Sequence, residues 1–145
     1  MSTRKPENPL FLHHVGIAVR DLEAAVRRFQ EILGLEEVAY EDLPDRGLRV
    51  AVFTLGPVRL ELISPTRAGT ALDRFLEKRG DGLHHLSFGV RNWPQLLQRL
   101  EQTGVHIVDG PRPGAFSPRV IFTDPRDTGR VLLEFMDFSG EPEVP

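Results

Sequence analysis

Leu12-His13-His14-Val15-Gly16-Ile17-Ala18-Val19 and Leu83-His84-His85-Leu86-Ser87-Phe88-Gly89-Val90 are two versions of one phrase. Each sets a histidine at the head of an apolar alternation. Each is answered further along by a glutamate inside an apolar run, Val58-Arg59-Leu60-Glu61-Leu62-Ile63 in the first case and Arg130-Val131-Leu132-Leu133-Glu134-Phe135 in the second. His14 precedes Glu61 by 47 residues, and His85 precedes Glu134 by 49. A His/Glu pair that recurs at nearly the same offset points to a duplicated module with one purpose. Two imidazoles and two carboxylates brought together would make a divalent-metal site.

Working outward, the alternation over 12–19 predicts a strand. Asp21 then caps a helix whose apolar stripe is Leu22, Ala25, Val26, Phe29, Ile32 and Leu33, with Gly34 at its end. Three strands are predicted near 36–43, 48–55 and 58–64, with Gly56-Pro57 turning between the last two. The second half repeats the order: strand 83–90, then a helix capped at Asn92 with Pro94 in its first turn and Leu96, Leu97 and Leu100 as its stripe. Gly104 ends that helix, and strands follow near 105–109, 118–123 and 130–136. A short helix is predicted over 70–79, between the halves. The reading is α+β: two βαβββ modules, about 11–66 and 82–137, in one domain spanning 1–145.

Strand parity adds direction, because successive side chains point to opposite faces. The face of His14 also carries Gly16 and Ala18, and that of His85 carries Ser87 and Gly89. Val15, Ile17, Val19, Leu86, Phe88 and Val90 point away, toward the helices. Around the glutamates, Leu60, Leu62, Leu133 and Phe135 take the helix side, so Glu61 and Glu134 look with the histidines into a surface of small residues. A strand histidine can also be a satisfied structural residue, and Arg59 and Arg130 could simply pair with the two carboxylates. His13 and His84 point the other way and are read as structural or supporting groups. His106 is assigned nothing, and Trp93 is read as packing.

The composition fits a soluble globular chain: 145 residues, 40% hydrophobic and 27% charged, enough for one sizeable core. A net charge of −3 gives no general attraction to nucleic acid or to an anionic membrane. No cysteine is present, which excludes disulfides, thiolate catalysis and Cys-ligated metal. The segments 1–9 and 139–145 read as frayed tails. No signal peptide and no membrane span are read, and a cytoplasmic location is expected.

The motifs His14-Val15-Gly16-Ile17-Ala18-Val19-Arg20-Asp21-Leu22, Leu60-Glu61-Leu62-Ile63-Ser64-Pro65, Phe75-Leu76-Glu77-Lys78-Arg79-Gly80-Asp81-Gly82-Leu83-His84-His85 and Gly129-Arg130-Val131-Leu132-Leu133-Glu134 resemble the vicinal oxygen chelate (glyoxalase/bleomycin resistance) superfamily. The match covers nearly all of 11–136. Within the superfamily, the run through Gly82-Leu83-His84-His85 and the segment Arg112-Pro113-Gly114-Ala115 look most like the methylmalonyl-CoA epimerase family.

The resemblance implies a curved eight-stranded mixed sheet around a metal-binding cavity, with His14, Glu61, His85 and Glu134 as ligands of Co, Ni, Zn, Mn or Fe. It implies epimerisation of methylmalonyl-CoA or a similar 2-substituted acyl-CoA, by 1,1-proton transfer through a metal-stabilised enolate. Inversion needs an acid/base group on each side of the planar intermediate. The resemblance gives one role to Glu134 and places the other, a glutamate in the family, at Asp45, which could equally be a turn residue beside Gly47. Phe116-Ser117 and Asp124-Pro125-Arg126 also depart from the family pattern. Arg112, Arg119, Arg126 and Arg130 could meet coenzyme A phosphates. A homodimer is the expected assembly. A glyoxalase I-like lactoylglutathione lyase and a small-molecule-binding resistance-type protein are the alternatives.

Overall fold

Two short polar signals bracket each long helix. The Asp21 carboxylate accepts from the Ala24 N–H at 3.0 Å, and α1 (Leu22–Leu33) ends at Gly34, whose φ is 66°. The Asn92 amide oxygen accepts from the Gln95 N–H, and α3 (Trp93–Thr103) ends at Gly104 with φ 72°. Side-chain caps of this kind are each worth about 1 kcal/mol, and a left-handed terminus is cheap only for glycine. The shorter α2 (Ala71–Arg79) is capped by Thr70.

The computed structural model describes residues 9–140. The strands are β1 (Leu10–Ala18), β2 (Ala39–Leu43), β3 (Leu48–Leu55), β4 (Val58–Pro65), β5 (Gly82–Val90), β6 (Ile107–Arg112), β7 (Val120–Thr123) and β8 (Leu132–Asp137). They form an eight-stranded mixed sheet in the order β2-β3-β4-β1-β5-β8-β7-β6. The β1–β4 pair is parallel, whereas β2–β3, β3–β4, β6–β7 and β7–β8 are antiparallel. Each half therefore runs βαβββ, as its sequence predicts. The tails expected to fray lie mostly outside the described residues.

Element boundaries move where local hydrogen bonding outbids strand pattern. The last strand begins at Leu132 rather than at 130, because Gly129 and Arg130 are both left-handed, with φ 68° and 67°. The sixth runs Ile107–Arg112 rather than 105–109. Val105 still bonds back to Leu100, and the His106 N–H is taken by Asp127 Oδ2 at 2.9 Å. The second begins at Ala39 rather than at 36, after the Gln30 side chain has taken the Glu36 carbonyl.

The chain packs as two compact units, residues 13–86 and a second made of the segment up to Leu12 with 87 onward. In the first, α1 covers the strand face predicted for it: Val19, Leu22, Val26, Ala51, Phe53 and Leu62 are buried together, with Ile17, Phe29 and Leu60 against them. The opposite face holds His14 and Glu61. Its far end is not open, because Leu72 and Leu76 of α2 bury Ala18, Val50, Val52 and Ile63 there. Arg20 fastens α2 by bonding Asp73, and its own carbonyl accepts from Ser64. In the second unit, Trp93, Leu96 and Leu100 of α3 cover Val90, Ile121 and Phe135. Phe122 pairs across β7–β8 with Glu134, which puts both on the face away from α3.

Candidate metal centre

In the unit 13–86, β1 and β5 each carry one histidine of the repeated phrase, and the two imidazoles meet. His14 Nε2 lies 3.1 Å from His85 Nε2. Each ring is held from behind by its predecessor: His13 Nδ1 is 2.7 Å from His14 Nδ1, and His84 Nδ1 is 2.9 Å from His85 Nδ1. A partner on one ring nitrogen fixes the orientation of the other, so His13 and His84 have the supporting role read from parity. Phe75 of α2 packs edge-on against His84 at 4.8 Å.

Glycine makes this approach possible. A Cβ at Gly16 would overlap the ring atoms of His85. The small residue read from sequence as the wall of an open space is thus the seat of the second imidazole.

Burial fixes the charge of the cluster. His14 is lowered to about 2, first by desolvation and then by His85, His13 and Arg59. His85 is lowered to about 3 by burial and by His84, and His84 to about 4 by burial and then by Arg79. All are neutral near pH 7, the state a metal ligand requires. The spacing also suits one shared ion. Two nitrogens about 2.1 Å from a cation and at right angles around it are about 3.0 Å apart. The histidine pair fits a divalent metal in donor type, charge state and separation.

A sign follows for stability. These histidines titrate at 6.5 ordinarily and lower in the fold. Below 6.5 the unfolded chain therefore binds more protons than the folded one, and stability falls with falling pH. The slope approaches about 1.4 kcal/mol per pH unit for each histidine. Thermal unfolding of metal-free protein should shift steadily downward from pH 7 to pH 5. A midpoint that stays level across that range would contradict the neutral cluster.

Glu61 sits to one side of the pair. It is buried, with Oε2 3.7 Å from His14 Nδ1 and 3.2 Å from Arg59 Nε. Arg59 in turn reaches Glu41 of β2 at 3.2 Å. The arginine pairing weighed against ligation is therefore present at Glu61. In the other unit, Glu134 accepts a hydrogen bond of 2.6 Å from the Ser87 hydroxyl. Ser87 is fully buried and follows His85 by two residues on β5, so the two project from one face of that strand. The role of Ser87 as the partner of Glu134, and the reach of Arg59 to Glu41, were not read from sequence. Their signal was a polar residue set at ligand parity within an apolar run.

Asp45 is exposed, in the 3₁₀ turn Pro44–Arg46 between β2 and β3. Arg67 holds that turn by donating to the carbonyls of Pro44 and Asp45, at 2.8 and 3.2 Å. Among the arginines considered for phosphates, Arg119 is engaged with Asp137, Arg126 with Asp124, and Arg112 with Asp109 and over the Phe122 ring. No helix of the described residues is long and apolar enough to cross a membrane.

Repeated βαβββ halves in one eight-stranded mixed sheet define the class, a double-module α+β fold. The chain belongs to the Glyoxalase/Bleomycin resistance protein/Dioxygenase superfamily, whose family model matches residues 13–122. The Ethylmalonyl-CoA/methylmalonyl-CoA epimerase of Cereibacter sphaeroides is 36% identical to it over 126 residues, covering 85% of this chain and 94% of that protein. The crystal structure of methylmalonyl-CoA epimerase from Mycobacterium tuberculosis matches with a TM-score of 0.73 at 33% identity, over 87% of this chain and 86% of that one. A methylmalonyl-CoA epimerase in complex with methylmalonyl-CoA and NH4+ matches with a TM-score of 0.75 at 32% identity, over 92% and 97%.

Proposed function

We propose that this protein is a metal-dependent epimerase of methylmalonyl-CoA or a close 2-substituted acyl-CoA, working as a cytoplasmic homodimer. The observation that carries the metal dependence is the pair of neutral imidazoles with Nε2 atoms 3.1 Å apart. The substrate class rests on the epimerase relatives. The lack of cysteine suits a reducing compartment. β2 and β6, the outermost strands of the sheet, are edges that a second copy could cover.

The ligands proposed are His14, Glu61, His85 and Glu134, the two histidines and two glutamates of the repeat. These residues would hold a divalent cation, which when bound would supply Lewis acidity to a thioester oxygen and make the α-hydrogen easier to remove. The protein supplies the rest. His13 and His84 hold the ligand rings in orientation. Glu134, anchored on Ser87, takes the α-proton from one side and returns it. Asp45 does the same from the other side, on a turn that Arg67 stiffens. Inversion results when the proton leaves to one group and arrives from the other.

The test is epimerisation of each methylmalonyl-CoA epimer by protein stripped of metal and then reloaded. Solvent deuterium should enter the α-position in both directions only when metal is present. No exchange into any 2-substituted acyl-CoA, across the five candidate metals, would remove the proposal.

A further inference from the structure

A row of charge stands behind the paired imidazoles, on the strand face that carries His14. It runs Glu41 of β2, Arg59 of β4, Glu61 of β4 and His14 of β1. Arg59 Nη2 lies 3.2 Å from Glu41 Oε1, and Arg59 Nε lies 3.2 Å from Glu61 Oε2. That same Glu61 oxygen is 3.7 Å from His14 Nδ1. The Arg59 side chain keeps 25% of its exposure and that of Glu61 only 9%. Arg59 is hydrogen-bonded to Glu41 and ion-paired with Glu61, so a positive charge pinned from β2 stands against the Glu61 carboxylate.

We propose that Arg59, braced by Glu41, is a positioning residue that holds the Glu61 carboxylate on the Nδ1 side of His14 and offsets its charge, weakening the grip of the histidine pair on a divalent cation. This rests on the metal reading above and deepens it. A buried second carboxylate adds strongly to the affinity of a site for a dication, and a fixed positive charge a few ångströms away subtracts from it. An ion held by two uncompensated carboxylates would bind tightly and polarise a substrate oxygen poorly. With Arg59 in place, Glu61 remains near the site while much of its charge is spent on the guanidinium.

A purely structural role for Arg59, tying β2 to β4, predicts the opposite sign. Loosening the strand pair would disorder Glu61 and His14 and lower metal affinity. Removing a competitor should raise it. The experiment is titration of metal-free protein with Co2+ against a competing chelator, in wild type, Arg59→Met, Arg59→Lys and Glu61→Gln, with thermal melts of each.

Arg59→Met should bind Co2+ about tenfold to a hundredfold tighter at unchanged stoichiometry, because it removes a fixed positive charge a few ångströms from the ligands. Arg59→Lys, which keeps the charge, should stay within about threefold of wild type. In a Glu61→Gln background the gain from Arg59→Met should shrink at least threefold, because the effect passes through that carboxylate. Unchanged or weaker binding in Arg59→Met, with wild type binding one ion, overturns the proposal and leaves the metal site standing. Wild type that binds no divalent ion removes the metal reading itself. Should Arg59→Met not fold, Glu41→Gln decides. Its carboxylate is partly exposed on an edge strand, and its loss removes the brace that keeps Arg59 on Glu61. Tighter Co2+ binding is then expected, against the weakening that loss of a nearby negative charge alone would give, and equal or weaker binding refutes the assignment.

Discussion

Glu134→Gln is expected to lower the rate of epimerisation by roughly a thousandfold or more, within the range of general acid–base contributions, while leaving the fold intact. The substitution keeps the shape of the side chain and keeps an oxygen that Ser87 can bond at the observed 2.6 Å. It removes the ability to carry a proton together with the negative charge Glu134 would bring to the metal, so Co2+ content is measured beside the rate. The counterpart on the other side is Asp45. Asp45→Asn should cost inversion about a hundredfold while one epimer still exchanges its α-hydrogen with deuterated solvent through Glu134. Exchange without inversion is the signature of a reaction with one of its two proton carriers removed. A pair of variants that both retain full inversion would take these roles away from the two carboxyl groups.

The two substitutions probe parts of the sequence that were unequally legible. Glu134 announced itself because an acid inside Leu132-Leu133-Glu134-Phe135 has no apolar reason to be there, and the repeat supplied its partner. The faces followed from parity alone. Leu60, Leu62 and Ile17 pack with α1, and Phe88, Leu133 and Phe135 with α3. What parity could not supply was the third dimension. It assigned Ala18 to a face of small residues and open space, and α2 closes that end with Leu72 and Leu76. A linker helix has no register relation to the strands, so no periodicity predicts which face it covers. Nor could spacing show that Arg59 reaches both Glu41 and Glu61, since Glu41 lies on β2 and the other two on β4, joined only through β3. The Asp45 turn was the least legible. Its Pro-Asp-Arg-Gly sequence suits a plain turn as well as a catalytic one, and in the structure the Asp45 side chain is exposed.

Gly16→Ala should damage the metal centre more than most changes to the ligands' neighbours, although it adds a single methyl group. The Gly16 backbone is fixed in β1, paired in parallel with Glu61 of β4, so the added carbon cannot retreat. It would take the space of the His85 ring, which must swing away from His14. Two consequences are expected together. Overpacking should cost about 1–3 kcal/mol of stability. Affinity for Co2+ should fall roughly a hundredfold or more, because a ligand moved by about 1 Å no longer closes on the same ion. The two effects separate in the double variant. In Gly16→Ala with His85→Ala the methyl group meets no imidazole, so its stability cost should largely vanish while metal binding stays lost. Thermal melts and Co2+ titration of the four proteins measure both. If the methyl group cost as much stability without the imidazole as with it, the close seating of His85 on Gly16 would not be what that position is kept small for.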